Sequence, residues 1–495
     1  MRTRRKARIA GLVLVVLALG LVSCAVNPVT GRRQLSLMSE AQEIALGTES
    51  DPHIVAEYGL YDDPKVQAYV DAVGQKMAHL SHRPNLKFTF RVLDSPVINA
   101  FALPGGFVYI TRGILAHMNS EAELAIVVGH EIGHVTARHG AEQYTRQQVA
   151  GIGLGIGSVL SENVARFGGA VQQALGLMFL KYGREEENQA DDLGVEYALR
   201  AGYDAEVGVH FFEVLDRQSK ESGSSMPEWL STHPAPEGRI RHTHDLAVAR
   251  QPEHPDATRI AEVEHKAHVD GMIFGDDPRQ GFMDGNLFKH PALRFQFELP
   301  SGWQVQNTPS AVVATAPDQK AGLQMTLEKS GGVGPADYAV KVVQSVQATI
   351  AQSTSERVHG SDAYVALLNL ADETGATTSV QAGFVQRDRG GPIYQIIGQA
   401  SPGAFAAYRD AFLRTIRSLQ TLQDAAALQI QPNRVKLETI RAPTTLSQAF
   451  DRAGALPVPV ATIALVNNLE PASALKAGFQ LKLVQGAYRP KSGAK

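Results

Sequence analysis

A single cysteine, Cys24, in a chain of 495 residues excludes an internal disulfide and any cysteine-built metal site, so a metal here has to be held by histidine and carboxylate. Charge of one sign is also lacking. Lys and Arg total 47 against 50 Asp and Glu, which argues against a nucleic-acid partner. The apolar run from Ile9 to Val22 is shorter than the roughly 20 residues that cross a bilayer core. The Gly-rich apolar stretch from Ala150 to Leu180 is interrupted by Glu162, Asn163 and Arg166 and is too broken to span. What remains, 44% hydrophobic and 20% charged residues, is the balance of a globular protein, and the length calls for two or three domains.

Residues 1–23 carry Arg2, Arg4, Arg5, Lys6 and Arg8 ahead of the apolar run and contain no acid, the layout of a secretory signal. Removing those five positive charges takes the net charge from −3 to −8. Leu21-Val22-Ser23-Cys24 resembles the lipobox of bacterial lipoproteins, which implies a lipid on Cys24 and a membrane anchor. By the sorting rule of that class, Ala25 rather than Asp after the cysteine implies the outer membrane and a periplasmic location.

After Cys24 the sequence predicts a short polar connector and a helix opening at Ser39, then a helix from Pro64 with Val66, Tyr69, Val70 and Val73 on one face. Alternation predicts strands over Lys87–Val92 and Phe107–Ile110, the second following the Pro104-Gly105-Gly106 turn. Helices are expected to about residue 250, and the Gly, Asp and Pro of Asp270–Gly285 suggest a domain boundary. Strands mixed with helices such as Ala336–Ile350 predict an α+β module over 285–420, weakly similar to sandwich domains of the Mog1/PsbP type. A last module over 430–486 resembles a divergent LysM domain in Thr444-Thr445-Leu446, Asn467-Asn468-Leu469 and Gly478–Leu483, which implies peptidoglycan contact. A small packing module without a glycan site fits the same residues equally well.

The chemistry is concentrated in Ala125–Val135, where His130-Glu131-Ile132-Gly133-His134 is embedded in apolar neighbours and therefore on a buried helix. Residues four apart share a helix face, so His130 and His134 can bind one metal while Glu131 reaches a water beside it. Zinc with three protein ligands and an open position lowers the pKa of water from about 15.7 to about 7, and a nearby carboxylate takes the proton. Two core histidines satisfied by hydrogen bonds are the plain alternative, but it leaves the spacing of two imidazoles and a carboxylate unexplained.

A third ligand is expected from Arg184–Asp191. Glu185 shares a face with Gln189, Asp192 and Glu196 and points to solvent. Glu187 shares its face with Ala190, Asp191, Gly194 and Ala198, small enough for close helix approach, and is preferred, with Glu186 kept open. Asp191, one turn on, can hold the free ring nitrogen of a ligating histidine. Asn99, Ala100, Phe101 and Ala102 precede the catalytic helix as an exposed strand that can pair with an extended substrate. The stretch Ala150–Leu180 is a lid over the cleft or a set of packed helices. His139, His242 and His244 are expected to be exposed or structural.

Together Asn27–Arg32, Asn99–Gly106, the HExxH segment and Glu187-x-x-Ala190-Asp191 resemble the M48 metallopeptidases, in particular their periplasmic lipoprotein branch, from about Asn27 to Arg239. Gly183-Arg184 departs from the Ser-Arg often found in that family, outside the ligand set. The resemblance implies one zinc per chain on His130, His134 and Glu187, with Glu131 as general base. It also draws in Ser231-Thr232-His233-Pro234 and Arg239, of which His233 or Arg239 would donate to the oxyanion. A further expectation puts His233 on the metal at rest.

The fold class expected is α+β. A mainly helical zincin-type domain with a small edge-strand sheet covers 24–270, followed by the two smaller modules. The implied function is a membrane-tethered endopeptidase for unfolded or misassembled envelope proteins. The rivals are a non-catalytic holdase with a structural zinc and a peptidoglycan hydrolase.

Overall fold

A computed structural model describes residues 24–35, 38–149, 182–221, 229, 233, 237–371 and 377–489. The signal segment 1–23, the stretch Ala150–Leu180, and Ser231, Thr232 and Pro234 lie outside the described residues. Among those described, no helix is long and apolar enough to cross a membrane.

The segment after Cys24 is not a bare connector. β1 (Cys24–Val26) pairs antiparallel with β2 (Arg33–Leu35). In the turn between them the Asn27 side-chain oxygen accepts from the Val29 and Thr30 amides at 2.9 and 3.1 Å, and its amide donates to the Ala137 carbonyl at 3.1 Å. An Asx turn thus docks onto an orphan carbonyl at the end of the catalytic helix.

α1 (Glu40–Tyr58) begins with a Ser39–Gln42 capping box, and α2 (Pro64–His79) begins at Pro64 under an Asp63 cap. The apolar stripe Val66, Tyr69, Val70 and Val73 is buried as its spacing predicts. β3 (Thr89–Leu93), β4 (Ala100–Leu103) and β5 (Phe107–Thr111) form a sheet of order β3-β5-β4, parallel between β3 and β5 and antiparallel between β4 and β5. β4 is therefore an edge strand, with Asn99 immediately before it. At the β4–β5 turn Gly105 has φ 88°, and a Cβ there would lie 2.6 Å from the Glu43 carbonyl oxygen, so no other residue fits.

α3 (Arg112–His117) leads to Ser120, whose side chain caps α4 (Glu121–Thr136), and every residue of α4 is buried. α5 (His139–Val149), α6 (Arg184–Arg200), α7 (Ala205–Gly208), α8 (His210–Glu221), α9 (Glu237–Arg250) and α10 (Glu262–Val269) complete this unit. Its core joins Val92 and Ile110 of the sheet to Ile126, Val128, Leu193 and Phe211 of the helices.

In the middle unit β6 (Phe282–Asp284), β7 (Leu287–His290) and β8 (Phe295–Glu298) form a small sheet. β9 (Gln304–Asn307), β10 (Ala311–Thr315), β11 (Ala321–Glu328), β12 (Thr349–Val358), β13 (Ser361–Ala371), β14 (Thr377–Gln386) and β15 (Ile393–Ala400) form an antiparallel one of order β12-β13-β14-β15-β11-β10-β9. α11 (Pro335–Ser345) covers one face and α12 (Phe405–Ser418) the other, which is why all eight residues of β15 are buried. The helix expected over Ala336–Ile350 stops at Ser345. Gln347 turns the chain at φ 55°, and the β-branched Thr349 and Ile350 pair with Asn369 and Leu368 of β13 instead.

β16 (Gln420–Thr421) joins the small sheet, and α13 (Ala425–Leu428) leads to the C-terminal elements. These are β17 (Arg434–Thr439), β18 (Thr444–Thr445), α14 (Leu446–Arg452), α15 (Val460–Val466), β19 (Ala474–Leu475) and β20 (Gln480–Gln485). The Gly, Asp and Pro run after α10 is not a bare linker. Gly271 and Phe274 donate to the carbonyls of Val435 and Asn433, and Val435 and Leu465 lie in the same core as α4. Lys482, fully buried, donates to the Ala116 and Met118 carbonyls at 2.8 and 2.7 Å, capping α3 from the far end of the chain.

Candidate metal centre and active site

The two histidines of α4 face α6 across a glycine-lined crossing. A Cβ on Gly194 would sit 3.0 Å from the His130 amide nitrogen and 3.2 Å from the Ile126 carbonyl, and one on Gly129 would sit 2.9 Å from the Gly194 carbonyl. The backbones can approach this closely only because both positions are glycine. Gly194→Ala is therefore expected to push the helices apart, cost about 1–3 kcal/mol of stability and weaken zinc binding. Chemical denaturation and zinc titration of the variant check this.

At the crossing His130, His134, Glu187 and His233 bring one ligand atom each within 4.8 Å of one another. His130 Nε2 lies 3.0 Å from His134 Nε2, 3.3 Å from His233 Nδ1 and 3.8 Å from Glu187 Oε2. Glu187 Oε1 lies 3.6 Å from His134 Nε2 and 2.9 Å from His233 Nδ1. A tetrahedral ion with bonds of 2.0–2.1 Å needs donors about 3.3 Å apart, so this set fits zinc. The other ring nitrogens are taken: Asp191 Oδ1 holds His130 Nδ1 at 2.8 Å, and His139 Nδ1 holds His134 Nδ1 at 2.9 Å. Both Nε2 atoms are thus left to face the shared centre.

Burial shapes the charges of the site. It is the main reason the Glu131 carboxyl is pushed up, with Glu187 adding to it and His233 and His130 opposing. Burial also keeps His134 far below the usual imidazole range and, with lesser contributions, His139 at about 4, so both are neutral rings near pH 7. Burial disfavours the charges of Glu187 and Asp191 too, but His233 and Arg239 outweigh it at Glu187, and Arg239 outweighs it at Asp191.

Glu187 is in the donor cluster, whereas Glu186 is spent on the helix start: its Oε2 accepts from the Gly183 amide at 2.6 Å and from Gln143 at 2.7 Å. Glu185 is exposed. Arg239 is not aimed at open space as an oxyanion donor would be. Its Nε and Nη2 bind Asp191 at 2.5 and 2.8 Å and its Nη1 binds Glu187 at 2.5 Å, because two buried carboxylates need a cation between them. The strand expected to be exposed has buried side chains at Asn99, Ala100 and Phe101, with Ala102 half-buried, and among the described residues no strand pairs with its outer backbone edge. His242 is exposed and pairs with Asp192, and His244 is half-buried beside Asp245. His139 is structural in a specific sense, linking His134 to Gln189 Oε1 at 3.0 Å.

Two aromatic rings of the site carry no sequence signal: Tyr182, whose ring stacks on His134 at 4.0 Å, and Trp229, stacked on His233 at 5.1 Å. Neither stands in a periodic pattern or at a fixed offset from the ligand motif.

The family model of Peptidase family M48 matches residues 64–247. The chain carries an M48-family peptidase domain. The M48 domain includes α4, α6 and every residue of the metal cluster. A Yersinia pestis protein named beta-barrel assembly-enhancing protease is 30% identical over 261 residues, 50% of this chain and 53% of its own. The Arabidopsis thaliana mitochondrial metalloendopeptidase OMA1 is 33% identical over 39% of each chain. The chain thus spans about half or less of the length of these relatives. Among solved structures, the cyanobacterial PsbP of Synechocystis sp. PCC 6803 aligns with 28% of this chain and 94% of its own at 14% identity, with a TM-score of 0.23.

Proposed function

We propose that this protein is a zinc endopeptidase for unfolded or misassembled envelope proteins, held to a membrane by a lipid on Cys24, with the periplasmic face of the outer membrane as its site. The observation that carries the reading is the convergence of His130, His134, Glu187 and His233 beside the buried Glu131. Zinc, when bound, supplies a Lewis acid that polarises a peptide carbonyl and acidifies water. Glu131 accepts the proton of the attacking water and delivers it to the leaving amine. Asp191 and His139 hold the ligating rings in one tautomer. The outer edge of β4 pairs with the backbone of an extended substrate. Backbone pairing gives affinity with little sequence preference, as a protease for unfolded chains requires. The envelope as target is supported by the printed name of the Yersinia pestis relative.

His233 lies inside the donor set and would be a fourth ligand to a bound zinc, a resting arrangement that would close the site to substrate. The test is zinc analysis with a casein cleavage assay on wild type and His233→Ala, and a parallel digestion of purified sacculi. Stoichiometric zinc, chelator-sensitive casein cleavage and raised activity in His233→Ala are expected. Absence of zinc and of casein cleavage would sink the peptidase reading, and digestion of sacculi alone would replace it with a wall hydrolase. Lowered activity in His233→Ala at unchanged zinc content would make His233 a transition-state donor instead of a gate.

A further inference from the structure

Both ligating histidines of α4 are gripped from behind, but by different chemistry. His130 Nδ1 meets Asp191 Oδ1 at 2.8 Å, and an ionised carboxylate can only accept, so it fixes that ring's proton on Nδ1 without help. Behind His134 stands His139, the buried first residue of α5, with the two Nδ1 atoms 2.9 Å apart. An imidazole can donate or accept at Nδ1, so this contact by itself allows two proton arrangements.

In one, His134 donates from Nδ1 to a bare His139 Nδ1, and His134 Nε2 carries no hydrogen. In the other, His139 donates, and the proton of His134 moves to Nε2, which faces His130 Nε2 and the rest of the donor cluster and is then closed to a metal. The far nitrogen of His139 separates the two. In the first arrangement His139 Nε2 bears the proton and needs an acceptor, and in the second it is bare and needs a donor. Gln189, half-buried on α6 two residues after Glu187, places its Oε1 3.0 Å from His139 Nε2. Among the described residues this oxygen is the only hydrogen-bond partner of that nitrogen, and an amide oxygen only accepts. The first arrangement therefore pairs every atom from Gln189 to His134, whereas the second sets a bare nitrogen against an oxygen beside a buried ring.

We propose that Gln189 is a positioning residue for the metal centre: through His139 it selects the tautomer of His134 that presents a bare Nε2. This rests on the zinc reading above and deepens it, since the turn of α6 that supplies Glu187 also sets the proton order behind His134. Gln189→Leu removes the acceptor, and Gln189→Glu keeps it. In the full chain, competition with a chelator is expected to show zinc affinity lowered about tenfold or more in Gln189→Leu, and equal to or tighter than wild type in Gln189→Glu. Ring ¹⁵N shifts of the metal-free protein are expected to show His139 protonated on Nε2 in wild type and Gln189→Glu, with that preference lost in Gln189→Leu.

A glutamine that merely fills space predicts unchanged zinc affinity in Gln189→Leu, or an equal loss in both variants, and either result overturns the proposal. So does a wild-type His139 protonated on Nδ1. If wild type binds zinc and one of these results appears, this inference alone fails. If wild type binds no zinc, the peptidase reading fails, and the ring shifts decide the tautomer by themselves.

Discussion

Glu131→Gln is expected to abolish casein cleavage, a loss of roughly 10²- to 10⁴-fold in kcat/KM, while zinc content and fold stay as in wild type. The amide has nearly the shape of the carboxylate but cannot accept a proton, so the variant removes the general base and nothing else. The ligand set does not depend on Glu131: the rings of His130 and His134 are held from behind by Asp191 and His139, and Glu187 is held by Arg239. Stability should be preserved or improved, because the substitution removes a buried charge that burial and Glu187 both oppose. Kinetics on an unfolded substrate, zinc by atomic absorption and denaturant unfolding check the three parts separately. Cleavage at the wild-type rate would remove Glu131 from the mechanism. Loss of zinc alongside activity would make it a structural member of the metal site.

The second large effect is on stability. Arg239→Ala is expected to cost about 3–5 kcal/mol, because it leaves Glu187 and Asp191 buried without their shared cation. Arg239 is 4% exposed, and Asp191 takes two of its nitrogens and Glu187 the third. Lysine should not restore the loss, since a single ammonium cannot present that planar fork. The effect is expected to be larger in the metal-free protein than with zinc bound, because zinc supplies positive charge to the same carboxylates. In a Trp303→Phe variant, which leaves Trp229 as the one tryptophan, fluorescence during urea unfolding reports the catalytic unit by itself. A change below about 1 kcal/mol would mean that the pair behaves like an exposed ion pair and that the network is not what holds α9 against α6.

The outcomes at α6 and at the C-terminus show where sequence reasoning reaches and where it stops. The small-residue face of Glu187, Ala190, Asp191 and Gly194 was legible, because close helix approach needs small side chains. That Glu186 caps the helix start was not, because it depends on Gly183 and Gln143 lying within reach. α11 was legible at its start, from Pro335, but not at its end, where pairing with β13 overrode the helical pattern. Docking of the C-terminal elements onto α3 through Lys482 involves partners more than 360 positions apart, and nothing local in either segment signals it.

What the sequence determined by itself is the repeat of the ligand motif: two imidazoles four residues apart on a helix share a face whatever surrounds them, and the lone cysteine leaves histidine and carboxylate as the metal's ligands. What only the tertiary structure decided is everything reached across space. The fourth donor on His233, the clamp of Arg239 on two carboxylates, the role of His139 behind His134 and the stack of Trp229 on His233 all depend on burial and on contacts between distant segments. Periodicity within one helix does not encode them.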